Sequence, residues 1–272
     1  MKAFVIDIGL CNGCYNCQIV CKDEHVANDW SPIAKPQPDT GQFWMRLTEH
    51  IRGTVPKVQM HYVPQPCMHC HLAPCMPICP IEGAIYRRDD GLVIIDPQKC
   101  TGCKACVDAC PHDAIFFNEN LNLAQKCTGC AHLLDSGEWK VPRCVDACPT
   151  EAIQFGEAED FAAEIAEAET LKPECDTEPL VYYLNMPKKF IAGTVYDPVE
   201  EEVVIGAVCT LHGPDGSAPQ TAVTDDFGDF WFHGLAEEAY ELTIAADGYA
   251  TKTFSGLTTE KDVNLGDIPL AE

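Results

Sequence analysis

Sixteen of the chain's 18 cysteines lie between Cys11 and Cys148, in four groups of four. The groups read Cys11-x2-Cys14-x2-Cys17-x3-Cys21, Cys67-x2-Cys70-x4-Cys75-x3-Cys79, Cys100-x2-Cys103-x2-Cys106-x3-Cys110 and Cys127-x2-Cys130-x13-Cys144-x3-Cys148. Thiolates bind both iron and zinc, so the spacing decides the chemistry. The first and third quartets have the run of bacterial ferredoxins, in which three closely spaced thiolates each reach one iron of a 4Fe–4S cluster. The fourth cysteine, three residues on, ligates a neighbouring cluster; it is expected to open a helix that points away. Pro80, Pro111 and Pro149 follow the fourth cysteine of the last three quartets, as in that run, and Lys22 stands there in the first.

Zinc takes four ligands, usually as two separated pairs, and has no use for three cysteines at x2 spacing with a fourth at x3. The second and fourth quartets have stretched gaps and read as cluster sites in the company of the other two. Disulfides are not expected, because a cluster-binding protein matures in a reducing compartment. His69, His71, His112 and His132 lie among the cysteines; with four quartets already complete, they read as hydrogen-bond donors that tune cluster potential. Each cluster with its thiolates carries about −2, so burying it costs solvation energy, and Lys99, Lys104, Lys126 and Arg143 are candidate compensators.

The elements that must hold these quartets repeat. After each Cys-Pro comes a short spacer and then Ala-Ile with an aromatic: Ala84-Ile85-Tyr86, Ala114-Ile115-Phe116, and Ala152-Ile153 with Phe155. The Ile is expected to pack on a cluster and the aromatic to begin a strand, while Leu92–Ile95 forms another strand that leads into Cys100. This is a strand–loop–helix–strand grammar repeated into two two-cluster modules.

At these residues the chain resembles the four-cluster ferredoxin-like electron-transfer subunits of molybdopterin oxidoreductases of the dimethyl sulfoxide reductase family. The matching stretches are Gln65–Ala84, Val93–Ile115 and Gln125–Ile153, and the resemblance covers residues 1–156. Asp23, Glu24, His25, Trp30, Phe43, Trp44 and Met45, between the first two quartets, look like the branch that comprises small subunits of pyrogallol–phloroglucinol transhydroxylases and catechol dehydroxylases. Trp30, Phe43 and Trp44 serve either the core or a partner contact. The resemblance implies four 4Fe–4S clusters with crossed ligation. One cluster would take Cys11, Cys14, Cys17 and Cys148, and its neighbour Cys127, Cys130, Cys144 and Cys21. The inner pair would use Cys67, Cys70, Cys75 and Cys110, and Cys100, Cys103, Cys106 and Cys79. It further implies a large catalytic partner, in a heterodimer or higher assembly, that carries molybdopterin guanine dinucleotide with molybdenum or tungsten.

The chain's 272 residues suggest about two domains at roughly 150 residues each. Residues 157–175 (EAEDFAAEIAEAETLKPEC) read as one acidic helix stopped near Pro173, and residues 176–189 as a linker. From Phe190 the pattern changes to period two, with about seven short strands: Ile191–Tyr196, Val203–Leu211, Thr221–Thr224, Asp229–His233, Tyr240–Ala246, Ala250–Phe254 and Lys261–Leu265. Residues 190–272 resemble the carboxypeptidase regulatory, transthyretin-like β-domain, which more often docks than catalyses. The fold class expected is α+β: tandem ferredoxin-like modules followed by a small all-β sandwich or barrel. Cys209 reads as a small buried hydrophobe in a strand, and Cys175 as a linker thiol.

Formal net charge is −24, with −4 on residues 1–156 and −20 on residues 157–272. That balance argues against a nucleic-acid or anionic-membrane role. No apolar run reaches the ~18 residues of a membrane span, and the first cysteine motif begins too early to leave room for a signal peptide. A cytoplasmic location is expected, or export on a partner's twin-arginine signal. The sequence carries no G-x-S-x-G, phosphate loop, dinucleotide fingerprint or H-E-x-x-H. No active site is expected on this chain; the rival class is a stand-alone polyferredoxin serving a hydrogenase or formate system.

Overall fold

The computed structural model describes residues 1–214, 216 and 218–271. They divide into two units, Met1–His50 with His61–Met186, and Ile51–Met60 with Pro187–Glu272.

In the first unit, strand Lys2–Asp7 runs antiparallel to Ile153–Glu157 and parallel to Val181–Leu184. The strand before the first quartet is thus paired with the strand after the last. Hairpins follow the inner quartets: Ile85–Arg87 pairs with Val93–Ile95, and Ile115–Asn118 with Leu123–Lys126. Each expected Ala-Ile-aromatic strand is present, and Ile85, Ile115 and Ile153 are buried in one core with the thiols. Helix Asn16–Val26 buries Cys17, Cys21 and His25, a stripe at spacing four along one face. The helices near the third and fourth quartets are single turns, Ala105–Asp108 and Arg143–Asp146. Cys110 and Cys148 lie just beyond these turns, and Cys21 lies inside its helix. The fourth cysteine therefore does not open a helix: in these three quartets the third thiol already stands on the helix, and the fourth stands on it or just past its end.

Residues 157–189 correct the sequence reading. The acidic stretch is not a single helix: a 3-10 turn at Ala158–Phe161 leads into the short helix Ala162–Glu167, and a second 3-10 turn follows at Pro173–Cys175. Between Glu157 and Glu167 the acidic side chains have no Lys or Arg three or four residues away, so little local energy favours a longer helix. The expected linker contains Val181–Leu184, whose pairing with Lys2–Asp7 buries Val181 and Tyr183. Tyr183 Oη donates to the Pro64 carbonyl at 2.9 Å.

The second unit consists of two open four-stranded sheets sharing one core that includes Ile191, Phe230, Leu242 and Ile244. Lys189–Asp197 runs antiparallel to Asp229–Leu235 and Glu202–Val203, and parallel to Val263–Pro269. The other sheet has the order Gln220–Val223, Val208–His212, Ala239–Ala245, Lys252–Thr258. The single strand expected over Val203–Leu211 is two strands. Gly206, at φ 80, turns the chain between them, and the buried Thr224 hydroxyl donates to the Val204 carbonyl and accepts from the Ala207 amide. The whole chain is mostly sheet with few, short helices, so the α+β label fits only roughly.

This unit also takes in the turn of hairpin Arg46–Thr54/Lys57–Gln65. The Arg52 guanidinium meets Asp262 at 2.9 and 2.8 Å and donates to the Pro187 and Lys188 carbonyls at 2.6 Å each. Lys57 is buried against Asp229 beneath the Trp231 ring. Arg52→Ala leaves the buried Asp262 carboxylate without its cation, and breaking such a pair costs about 3–5 kcal/mol. Thermal unfolding of the variant is expected to show the second unit melting well below its wild-type temperature; an unchanged melt would mean that the pair carries no stability.

Candidate metal centres

The Cys-x-x-Cys corner has one geometry in all four quartets. The residue before the second cysteine has a left-handed backbone: Gly13 (φ 72), His69 (φ 45), Gly102 (φ 75) and Gly129 (φ 62). That turn directs an amide N–H back at the first thiol, with His69 N to Cys67 Sγ and Gly129 N to Cys127 Sγ both at 3.4 Å. Glycine is required here for space as well. A Cβ on Gly13 would meet the Tyr62 ring at 2.4 Å, and one on Gly129 would meet Leu92 at 2.8 Å. His69 stands where the other three corners have glycine, and it is held in place because its buried Nδ1 accepts from the Val93 amide at 3.0 Å. Further amides reach Cys110 Sγ (from Ala114, 3.4 Å) and Cys100 Sγ (from Ala124, 3.5 Å). Hydrogen bonds to sulfur favour its charged form.

Burial opposes that charge. It pushes the thiols of Cys17, Cys75 and Cys130 up to about 12, and those of Cys70 and Cys106 to about 11. Repulsion from neighbouring thiolates adds to the rise, and part of it comes from thiols of another quartet. Cys17 feels Cys11, Cys14 and Cys148. Cys21 feels Cys127 and Cys130, and Cys144 feels Cys130, Cys127 and Cys21. Cys75 feels Cys67 and Cys110, and Cys70 feels the same pair. Cys106 feels Cys100, Cys103 and Cys79. In every set, three thiols come from one quartet and the fourth from another.

Other repulsions link the sets in a row. Cys21 and Cys144 feel Cys17, and Cys75 feels Cys106, while Cys127 feels Cys67 more than any other thiol. Each end set has an exposed cysteine, Cys14 or Cys103, whereas Cys21, Cys127, Cys130 and Cys144 are all buried.

Among the described residues, no three His, Cys, Asp or Glu side chains converge on a point that could hold a single metal ion. The thiols instead surround space. Cys67, Cys70, Cys75 and Cys110 line one small cavity, and Cys79, Cys100, Cys103 and Cys106 line another. A polynuclear iron–sulfur cluster suits such boxes, because each thiolate reaches a different iron. All 18 cysteines are free thiols. The buried thiols among them, with their raised pKa values, need cations to become thiolates, and iron supplies them.

The basic residues and histidines differ in role. Lys126 is buried between two sets and donates to the Val93 carbonyl and, at 3.0 Å, to that of Cys127. Lys104 pairs with Glu119 and lies over the Phe117 ring; Lys99 lies near Asp96 on the surface. Arg143 pairs with Glu24 at 3.2 Å beside Cys130, and Glu24 also meets His132 Nε2 at 3.1 Å. His132 stacks on Trp30, and His25 packs on Trp44 and His132, so Trp30 and Trp44 serve the core here. His112 shares a hydrogen bond with Thr177 at 3.3 Å, and His71 is exposed. The sequence reading missed His69 as the glycine substitute and Glu24 as the partner of Arg143. Aligning the four Cys-x-x-Cys corners would have exposed the first; nothing local marks the second.

Profiles of known domain families match both halves: the 4Fe-4S dicluster domain over residues 58–158, and the carboxypeptidase regulatory-like domain over residues 191–270. The chain is 39% identical to the pyrogallol hydroxytransferase small subunit of Pelobacter acidigallici, over 98% of either chain. It belongs to the pyrogallol hydroxytransferase small-subunit family. Among further relatives of this family, a tetrathionate reductase subunit of Salmonella typhimurium is 34% identical over 70% of this chain and 74% of that one. The arsenate respiratory reductase iron–sulfur subunit of a Shewanella species is 38% identical over 42% of this chain and 44% of that one. This chain combines a 4Fe-4S dicluster part with a carboxypeptidase regulatory-like part.

Proposed function

We propose that this chain is the electron-transfer subunit of an oxidoreductase, holding four 4Fe–4S clusters and exchanging electrons with a catalytic subunit that carries molybdopterin guanine dinucleotide. The observation that carries this reading is the meeting of thiols from different quartets, with Cys67, Cys70, Cys75 and Cys110 around one cavity and Cys79, Cys100, Cys103 and Cys106 around another. Relatives named as subunits of a hydroxytransferase, a tetrathionate reductase and an arsenate reductase support the partner. When bound, the clusters supply one-electron carriers.

The chain's own residues do the rest. Cys11, Cys14, Cys17 and Cys148 form one end set, followed by Cys127, Cys130, Cys144 and Cys21. Cys67, Cys70, Cys75 and Cys110 come next, and Cys100, Cys103, Cys106 and Cys79 form the other end. Amides at His69, Ala114, Ala124 and Gly129 stabilise charge on sulfur, and Lys126 places a fixed cation near the inner sets. Electrons enter and leave by the two end sets, where Cys14 and Cys103 reach the surface. The complex is assigned to the cytoplasm, or to export with a partner that bears a twin-arginine signal.

Anaerobic purification without an affinity tag tests the reading. About sixteen iron and sixteen sulfide per chain are expected, with a co-purifying large subunit containing molybdenum or tungsten. Iron near twelve would mean that one set stays empty. Zinc in place of iron would overturn the cluster reading, and a full iron complement with no large subunit would favour the stand-alone polyferredoxin.

A further inference from the structure

Outward positions of a sheet with one solvated face are normally polar. One end of the β-unit departs from this. Val199, Val203, Ile205, Val208, Val223 and Phe227 are all exposed, with Val199 at 82%, Phe227 at 74% and Ile205 at 60% of full exposure. All but Val199 are linked through strand pairing, chain sequence and one groove. Val208 is the cross-strand partner of Val223 on one side and of Ala245 on the other. Val203 packs against Gly228, the residue after Phe227. Ile205 leads into the Gly206 turn, whose amide donates to the Thr224 carbonyl at 3.1 Å. A groove lined by Val203, Ile205, Val208, Ala245 and Tyr249 runs through this end. Contiguous apolar surface of this kind marks an interaction site.

The rim is acidic. Glu200, Glu201 and Glu202 precede Val203, Asp225 and Asp226 precede Phe227, and Asp247 borders the groove. Among the described residues, none of these six carboxylates is in an ion pair. An apolar centre inside a single-sign rim matches a surface with an apolar plug and a basic surround. A second copy of this chain would bring its own acidic half against the rim, and anionic lipid would be repelled likewise.

We infer that this end of the β-unit is the seat for the catalytic subunit, which presents an apolar protrusion flanked by Lys and Arg. The inference rests on the proposed function, and two arms keep their failures apart. The first measures association of the iron-loaded wild-type chain with its separately purified catalytic subunit; absence of binding would overturn the proposed function itself. The second uses the full-length double variant Ile205→Asp/Phe227→Asp. Both positions are exposed, so iron content and melting temperature are expected to stay at wild-type values while affinity falls at least tenfold. Glu201→Lys/Glu202→Lys is expected to slow association and flatten its salt dependence, since rim charges act mainly on the approach. Wild-type affinity in the Asp double variant would place the seat elsewhere and overturn the inference. So would light scattering that shows a wild-type dimer of this chain dissociated by the same variant.

Discussion

Cys21→Ala is expected to empty the site built on Cys127, Cys130 and Cys144 while the site built on Cys11, Cys14 and Cys17 stays filled. Iron content should fall by about four atoms per chain, the content of one cluster. The reason is geometric. Cys17 and Cys21 lie one turn apart on the buried face of helix Asn16–Val26, so their thiols enter neighbouring spaces. Cys21 is buried among thiols of the fourth quartet, with Cys127 and Cys130 as its strongest thiolate neighbours. The first quartet instead has Cys148 close by, which repels both Cys11 and Cys17. Low-temperature electron paramagnetic resonance of Cys21→Ala, compared with Cys148→Ala, checks this, because the two variants should lose different signals. Loss of the same signal in both would refute the crossing.

Lys126→Met is expected to lower the reduction potential of the cluster proposed for Cys67, Cys70, Cys75 and Cys110 more than that of any other. A buried cation favours the added electron, and net charge near a cluster is one of the main determinants of its potential. Lys126 is 2% exposed, and its charge acts on Cys75, Cys110 and Cys127. Lys99 and Lys104, by contrast, are screened by solvent and by Asp96 and Glu119. A tenfold change in the one-electron equilibrium, about 59 mV, is a modest expectation for a charge this close. The variant also leaves the Val93 and Cys127 carbonyls without a donor, at about 1–3 kcal/mol. Lys126→Arg therefore serves as control, since it retains charge and donors. A potentiometric titration in which Lys126→Met matches wild type at every cluster would remove Lys126 from the electrostatics of the row.

Much of the site was legible because its signals are local. A Cys-x2-Cys-x2-Cys-x3-Cys run specifies its own loop, and the Ala-Ile-aromatic repeat marks strands whose Ile must find the core. What escaped depends on distant pairing. Residues 157–175 are acidic and alanine-rich, which reads as helix, and residues 176–189 read as linker, yet Val181–Leu184 is a strand because Lys2–Asp7 offers it an edge. Nothing within those few residues signals that edge. The turn of the hairpin escaped for the same reason: Arg52 and Lys57 have their partners, Asp262 and Asp229, some two hundred residues later. A cut at residue 189, natural from the sequence, would leave both cations without their carboxylates. The β-unit was read more fully because strand alternation and turn residues are short-range. Its one error, the continuous strand over Val203–Leu211, came from missing the positive φ at Gly206.

The pairing of Lys2–Asp7 with Ile153–Glu157 bears on the order in which the protein is made. The first quartet leaves the ribosome early, but the strand that closes its sheet, and Cys148 beside it, arrive only after all four quartets have been translated. Until then the first thiols stay open to oxidation and to stray metal. The two inner hairpins close within a few residues of each other and have no such wait, so they can mature while the chain is still growing. The end of the row that starts at Cys11 is therefore the last to be completed, and a chain truncated before Glu157 would carry finished inner sites behind an unfinished end.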